Sequence, residues 1–434
     1  MLYRPLWILM QFFYRIYFKR LYIHGNENWI TNKPVILTSN HVNGFLDPVI
    51  LPTQFLKKVI YIVRGDIFKT PFIHWLLWQM RQLPMFRERD GLESVQRNVE
   101  TFEKCYDFLS QNEIVMIFSE GDCVQEKHLR SIKKGTARMA FGAVEKHGWD
   151  LDLQILPSTV NYTYPADYRT ELIVAIGKPI PISDYRALYE EHPGKALTQL
   201  SRDLEQKMKE IYIHVESRDD LGLFEDLIVI QRSLFNINTL KWRVESNKRF
   251  LAEQNVANLL NQTRIENPEK LEEIRTLAKG YTKQLRELKV ADRNFSSSAP
   301  NMWVAFFASI FVFPVYTLGF LISYVPFSRV NKMVKTKIKL DFFKNPVRMG
   351  ILMILSGFVG FATFVGIAPF NFWLGISAPF VLWLIIYATV LYHDYMLFVF
   401  EQIRFNKLKK ENKSGYEKLL KTREILIDFL SQAA

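Results

Sequence analysis

The sequence predicts an α/β domain with a mixed sheet flanked by helices, then a helical extension, then C-terminal transmembrane helices. Three observations carry this. From Leu21 to about Ile180, apolar runs of strand length alternate with helical patterns. From Ser183 to about Val290, apolar residues recur at helical spacing, as at Leu197, Leu200, Leu204, Met208 and Ile211, with charges between them. Beyond residue 300, two long runs carry no Asp, Glu, Lys or Arg: Met302 to Phe327 (26 residues) and Met349 to Tyr392 (44 residues).

Composition narrows the partners. The chain has 434 residues, a net charge of +12, 49% hydrophobic and 14% aromatic residues. A basic chain suits nucleic acid, anionic lipid or an acidic substrate. The two charge-free runs favour lipid and argue against nucleic acid. Only Cys105 and Cys123 are present, which excludes a disulfide framework and gives no zinc spacing.

In chain order, residues 1–20 (MLYRPLWILMQFFYRIYFKR) have basic ends around a Trp-, Phe- and Tyr-rich centre too short to span a bilayer. This segment reads as a membrane-interface helix, with a helix packed on its own domain as the alternative. A domain over 21–215 follows. Its strands are expected at Leu21–His24, Pro34–Thr38, Val59–Val63, Leu83–Phe86, Ile114–Phe118, Leu153–Tyr162 and Leu172–Ile176. Helices are expected near 48–56, 70–81, 92–110 and 132–147. Residues 216–300 form a helical extension, with helices near 218–236, 240–262 and 267–289, closed by a linker over Asp292–Pro300 (DRNFSSSAP).

The membrane domain spans 301–400. The 44-residue run is about 66 Å of helix, roughly two hydrocarbon thicknesses, so 349–392 reads as a transmembrane hairpin turning near Pro369-Phe370-Asn371. The stretch Arg329–Arg348 between the runs holds seven Lys/Arg and one Asp. A single crossing at 302–327 would carry those cations to the side opposite the hairpin's basic flanks. A re-entrant segment bent near Pro314 is therefore expected, with three plain crossings as the alternative. A basic tail, 401–434, closes the chain.

Four stretches carry chemistry. In TSNHVNGFLDP (Thr38–Pro48), His41 ends a buried strand and Asp47 stands six residues on. Six helical residues turn through about 600°, so the two side chains meet only across a loop, which Asn43-Gly44 supplies. Asp47 alone could equally be a helix cap, with Pro48 at the first helical position. In RQLPMFRERDG (Arg81–Gly91), Arg87 follows a strand and could clamp a phosphate through its planar fork, or belong to a surface charge cluster. In IFSEGD (Ile117–Asp122), Glu120 can accept from substrate hydroxyls and Gly121 lets backbone approach a ligand; a plain strand-to-loop corner fits as well. Lys133 and Lys134 then open a helix, a setting that favours an anion. Finally, Pro157 in Leu156-Pro157-Ser158 reads as a strand kink or edge.

The order of these blocks is more informative than any one of them. Asn40-His41-x5-Asp47-Pro48, strand-Phe86-Arg87, Phe118-Ser119-Glu120-Gly121 and Leu156-Pro157 together resemble the glycerolipid acyltransferases, the PlsC-like family that includes glycerol-3-phosphate and 1-acylglycerol-3-phosphate acyltransferases. The resemblance covers about residues 20–215. It implies that His41 and Asp47 are catalytic. Their spacing is one residue longer than the usual form, as in a subset with Asn two after the histidine; Asn43 and Phe45-Leu46-Asp47-Pro48 match that subset. It further implies that Arg87 holds the acceptor phosphate, and that Glu120, Gly121 and Pro157 line the substrate site. Ser119 stands where the family usually has proline, which leaves that loop less rigid.

The activity implied is transfer of a fatty acyl group from acyl-CoA or acyl-carrier protein to a hydroxyl of glycerol-3-phosphate or 1-acylglycerol-3-phosphate. No cofactor or metal is called for. Partners are the thioester donor, the glycerol phosphate or lysophospholipid acceptor and membrane lipids, with no nucleic acid. The catalytic domain of this integral membrane protein would face the cytoplasm. Two other readings remain at this point: a different lyso-lipid acceptor, and a membrane-anchored lipid-binding protein with a decayed site.

Overall fold

The computed structural model describes residues 3–53, 57–86, 91, 96–234, 242–296 and 302–433. They fall into two compact units. The first comprises Met1–Tyr14, Phe18–Ile213 and Trp242–Asn247.

Among the described residues, nine strands of this unit form one mixed sheet: β1 (Arg20–His24), β2 (Val35–Ser39), β3 (Val59–Arg64), β4 (Gln82–Met85), β5 (Ile114–Phe118), β6 (Gln154–Tyr162), β7 (Glu171–Ile176), β8 (Ile180–Pro181) and β9 (Arg243–Glu245). Their order is β4-β3-β5-β2-β6-β7-β1-β9, with β8 beside the start of β6. β6 is antiparallel to β7 and β8, and the remaining pairs are parallel. The seven strands expected from apolar runs are all present. β2, β3, β5 and β7 are the most continuously apolar, with runs such as VIL, VIYIV, IVMIF and LIVAI, as strands covered on both faces are.

Six helices belong with this sheet: α1 (Tyr3–Tyr17, whose last turn joins the second unit), α2 (Asp47–Thr53), α3 (Pro71–Gln79), α4 (Asn98–Ser110), α5 (Gly135–His147) and α7 (Pro193–Glu210), with the short α6 (Arg186–Glu191) preceding α7. One face of the sheet carries α4, α5 and α7, through Cys105, Leu109, Phe141, Leu204 and Met208 on Ile36, Ile60 and Val115. The steps from β2 to β3 and from β3 to β4 run across the sheet in the direction opposite to β4→β5 and β5→β6. Right-handed crossovers therefore put α2 and α3 on the other face. There α1 joins them, with Tyr3 Oη 3.4 Å from Tyr61 Oη and Gln11 bonded to the carbonyl of Thr53.

Two expectations change here. Residues 243–245 were expected to be helical, but they form β9, parallel to β1 at the sheet edge. The helix of that region, α9, begins only at Asn247. Pro157 does not mark an edge. It lies within β6, in register with Thr38 of β2, and its carbonyl accepts from Gly177 N at 2.8 Å. In an extended strand a residue's N–H and C=O point the same way. The missing donor therefore faces the gap where the neighbour of β6 passes from β8 to β7, and no ladder bond is lost.

The second unit comprises Arg15–Tyr17, His214–Lys241 and Lys248–Ala434. Helices α8 (Leu221–Ser233), α9 (Asn247–Glu266), α10 (Pro268–Leu288) and α15 (Lys413–Ser431) bury Phe224, Leu227, Phe250, Leu260, Ile274, Leu426 and Phe429. The expected linker holds the short α11 (Arg293–Ser296), and residues 297–300 lie outside the described set. Asp292, expected in that linker, is buried. It takes Nε of Arg423 at 2.9 Å, and the hydroxyls of Tyr281 and Ser233 bind it as well. The expected basic tail is thus folded: it finishes one long helix and then turns back as α15, because Leu419, Leu426 and Phe429 give it an apolar stripe.

Among the described residues of this unit, three helices are long and apolar enough to cross a membrane: α12 (Met302–Lys337), α13 (Asp341–Ile367) and α14 (Phe372–Glu411). The hairpin turns at the expected place. Ile367 is followed by the Pro369-Phe370-Asn371 turn, and the Asn371 side chain caps Leu374 N at 2.9 Å. Gly375 packs so closely on Ala368 that a Cβ would lie 2.7 Å from its Cα. The backbone is not unwound at Pro314. α12 is one helix of 36 residues with Pro314 and Pro326 inside it. Where no water can serve unwound backbone, keeping the intrahelical bonds around a proline is favoured over breaking the helix.

Candidate active site

His41 and Asp47 leave the C-terminal end of β2 and the start of α2, and Asn43 makes the turn between them by accepting from the backbone N–H of Leu46 and Asp47, both at 3.2 Å. The loop brings His41 Nδ1 to 3.0 Å from Asp47 Oδ2. The same oxygen accepts the backbone N–H of Val42 and of Asn43, each at 2.7 Å. The other oxygen accepts the Tyr162 hydroxyl at 2.6 Å. Asp47 is fully buried and His41 is 19% exposed. The backbone N–H groups of Val42 and Asn43 can only donate, so Asp47 Oδ2 meets the His41 ring as an acceptor. The proton between ring and carboxylate therefore sits on Nδ1, leaving Nε2 as the acceptor nitrogen. Burial first, and then the charge of Asp47, raise the Tyr162 phenol well above its ordinary value, so it stays the donor.

The His41 ring stacks on Phe118, centroids 4.1 Å apart, and its backbone is pinned from two sides. His41 N donates to Glu120 Oε1 at 3.0 Å, and His41 O accepts from Val124 N at 3.0 Å. Glu120 Oε2 takes Arg130 twice, through Nε at 3.1 Å and the backbone N–H at 3.2 Å. Burial raises the Glu120 carboxyl, while the His41 N–H and the Arg130 charge and bonds pull it down; the net shift is upward. Glu120 thus reaches the site through protein groups and holds the histidine's backbone. Gly121 sits at φ +78, a left-handed turn closed by its N–H on Phe118 O at 3.2 Å, which explains a glycine there. Where the family's proline is replaced, the Ser119 hydroxyl bonds that of Thr136 at 2.8 Å and ties the loop to α5. The loop expected to lose rigidity thus gains a tether. Lys134 Nζ turns to Thr198 at 2.9 Å.

Pro157 lies one strand away, beside Thr38 at the base of the His41 loop, and supports the loop from beneath rather than presenting a functional group. Arg87 lies outside the described residues. The backbone N–H groups of the His41 loop, natural candidates for an oxyanion hole, are already committed: His41 to Glu120, Val42 and Asn43 to Asp47. Sequence reasoning missed Tyr162, Arg130 and Asn40. Asn40 exchanges a pair of bonds with the backbone of Val160, at 2.7 and 3.0 Å, like one more rung between β2 and β6. Only the apolar setting of Tyr162, at the end of a strand, hinted at a buried hydroxyl needing a partner.

The acyltransferase family model matches residues 20–161, a span that holds His41, Asp47, Glu120 and Arg130 and ends one residue before Tyr162. This stretch of the chain is similar to the glycerolipid acyltransferases. The chain is 33% identical over 81 residues to glycerol-3-phosphate O-acyltransferase 1 of Saccharomyces cerevisiae (19% of this chain, 10% of that one). It is 27% identical over 161 residues to glycerol-3-phosphate O-acyltransferase 2 of the same yeast (36% and 21%). It is 29% identical over 124 residues to the chloroplastic 1-acyl-sn-glycerol-3-phosphate acyltransferase LPAT1 of Arabidopsis thaliana (28% and 33%). The matched region thus spans between a tenth and a third of each of these relatives. Among solved structures, the 1-acyl-sn-glycerophosphate acyltransferase PlsC of Thermotoga maritima is similar at 19% identity and a TM-score of 0.32, over 46% of this chain and 79% of that one.

Proposed function

We propose that this protein transfers a fatty acyl group from a thioester, acyl-CoA or acyl-carrier protein, to a hydroxyl of glycerol-3-phosphate or 1-acylglycerol-3-phosphate. The observation that carries this is the His41–Asp47 pair at 3.0 Å, with the carboxylate fixed by three further donors. An alcohol is a weak nucleophile at neutral pH and needs a base as it attacks. His41 Nε2 takes the hydroxyl proton while the oxygen bonds to the thioester carbon. The tetrahedral adduct then breaks its C–S bond, and the departing thiolate takes the proton back from His41. The nucleophile of the familiar triad is here supplied by substrate. Asp47 stabilises the imidazolium, and Glu120 with Arg130 fixes the histidine backbone. Arg87 is assigned the acceptor phosphate from its place after β4. Replacement by lysine, which keeps the charge and loses the fork, should weaken use of phosphorylated acceptors alone. The test of the reaction is mass spectrometry of products from labelled acyl-CoA and acyl-carrier protein against both acceptors. Absence of acyl product with either would leave the pair without this role.

The membrane helices are assigned a topology to match, with the catalytic domain on the cytoplasmic side where thioester donors are found. α12 starts shortly after α11, and α11 is fixed beside the end of α14, where Asn294 Nδ2 meets Gln402 at 2.8 Å and the Phe295 and Phe405 rings are 4.8 Å apart. α12 ends just before α13, whose first turns are held by Tyr17 and Arg348 on Asn345. The start of α13 and the end of α14 are the two open ends of one hairpin. On this assignment both ends of α12 lie on one side, and it enters the membrane without crossing it, a course that requires this continuous helix to kink at its internal prolines, Pro314 and Pro326. Cysteines at Lys335 and Lys409 should both resist an impermeant reagent applied to intact cells. Labelling at Lys335 alone would establish a crossing between them.

A further inference from the structure

The catalytic unit carries a helix with no core of its own. α3, PFIHWLLWQ, has not one buried residue. Phe72 is 67% exposed, Trp75 52% and Trp78 44%, and Ile73, Leu76 and Leu77 are only half-buried. A water-facing helix of this composition is unfavourable, since each large apolar side chain left in water forgoes about 1.5–3 kcal/mol of burial. Its length, about 14 Å, excludes a crossing.

We propose that α3 is a bilayer-docking helix, seated at the headgroup boundary of an anionic lipid surface. Three further observations favour lipid over a protein partner. The 21 residues from Ile67 to Arg87 contain no Asp or Glu, and Lys69 stands exposed just before the helix, which complements an anionic leaflet. The exposed Lys104 ammonium lies 5.7 Å over the Trp78 ring, so an aromatic body and a cation stand side by side, as interface anchors do. α3 also shares its face of the sheet with α1, where Ile8 and Leu9 are exposed beside Arg4, so two separate segments present apolar and basic groups to the same side. The docking orients the site as well. α3 begins beyond the C-terminal end of β3, and β2, which delivers His41, is two strands away, about 10 Å.

The test uses the full-length protein reconstituted in vesicles containing anionic phospholipid, with a cysteine at Trp75 carrying an environment-sensitive dye and lipids bearing a shallow nitroxide quencher. The dye at Trp75→Cys should lose most of its emission, while one at Glu191→Cys, exposed on α6, keeps its own. Equal, weak quenching at the two positions overturns the proposal. So does a dye at Trp75→Cys that is shielded from water yet unquenched by lipid, which would assign α3 to a protein partner. Neither outcome depends on which reaction the site performs. A second arm replaces Phe72, Trp75 and Trp78 together by glutamate. Quenching of a dye at Phe68→Cys should fall to the Glu191→Cys level, while circular dichroism and thermal unfolding in detergent report whether the unit still folds. Unchanged quenching in a folded triple variant refutes the docking role.

Discussion

In the sheet unit, Leu37, Val115 and Ile155 are inside and fully buried, and Asp47, Glu120 and Lys127 are among the few charged side chains buried with them. Along α12–α14 the arrangement is inverted. Phe311, Phe370 and Trp373 point outward, at 78, 90 and 77% exposure, whereas Asn345, Arg348 and Gln402 are interior. The same chain therefore folds against two solvents. Where the surroundings are water, apolar side chains supply the driving force. Where they are hydrocarbon, no such force acts between helices, and cohesion comes from close backbone approach and a few polar contacts. Gly319 shows the first, since a Cβ there would meet Thr389 Oγ1 at 2.0 Å. Tyr392 donating to Ser309 at 2.7 Å shows the second.

The largest effect that sharpens this contrast is chemical. His41→Ala should cut turnover by about 10² to 10⁴, the range for losing a general base, without shifting the unfolding of either unit. Normal turnover in a folded variant would remove the histidine from the mechanism. Next is Arg423→Ala in the helical unit, which leaves the Asp292 carboxylate buried without its charge partner. It should destabilise that unit by about 3–5 kcal/mol, read as a lowered thermal midpoint, and replacing Asp292 and Arg423 together by apolar residues should recover most of the loss. Leu384→Arg, on the outward face of α14, tests the inversion directly. Charge at an exposed position of the sheet unit costs almost nothing, but here it should cost about 3 kcal/mol of membrane integration, seen as protein lost from the carbonate-resistant membrane fraction. The smallest effect is Tyr162→Phe, which removes one donor from Asp47. A loss of about 1.5 kcal/mol, roughly tenfold in turnover, should come with little change in KM.

What the sequence disclosed follows from how local each signal is. The strands and the His41–Asp47 pair were legible because apolar runs and a six-residue loop are short-range features. Tyr162 was not, because it reaches Asp47 from another strand, 115 residues along. Arg130 was hidden by its distance from Glu120, ten residues on through an irregular loop. α15 looked like a charged tail because its apolar stripe is thin, and only packing on α8 and α10 makes it a core element. The continuity of α12 through Pro314 was not legible either, because proline is a helix breaker in water, and where unwound backbone has no water to turn to the intrahelical bonds are kept.

The strand β9 sets a practical boundary. Cutting the chain after Val215, where the sequence pattern changes, would remove Arg243–Glu245 from beside Leu21–Ile23. β1 would then present an open row of N–H and C=O groups along an apolar strand, the geometry that recruits a second copy edge to edge. A soluble form of the catalytic unit is better sought by joining residue 213 to residue 242 through a short flexible connection than by truncation. The truncated form should come out of the cell as aggregate even though every residue of the site is present.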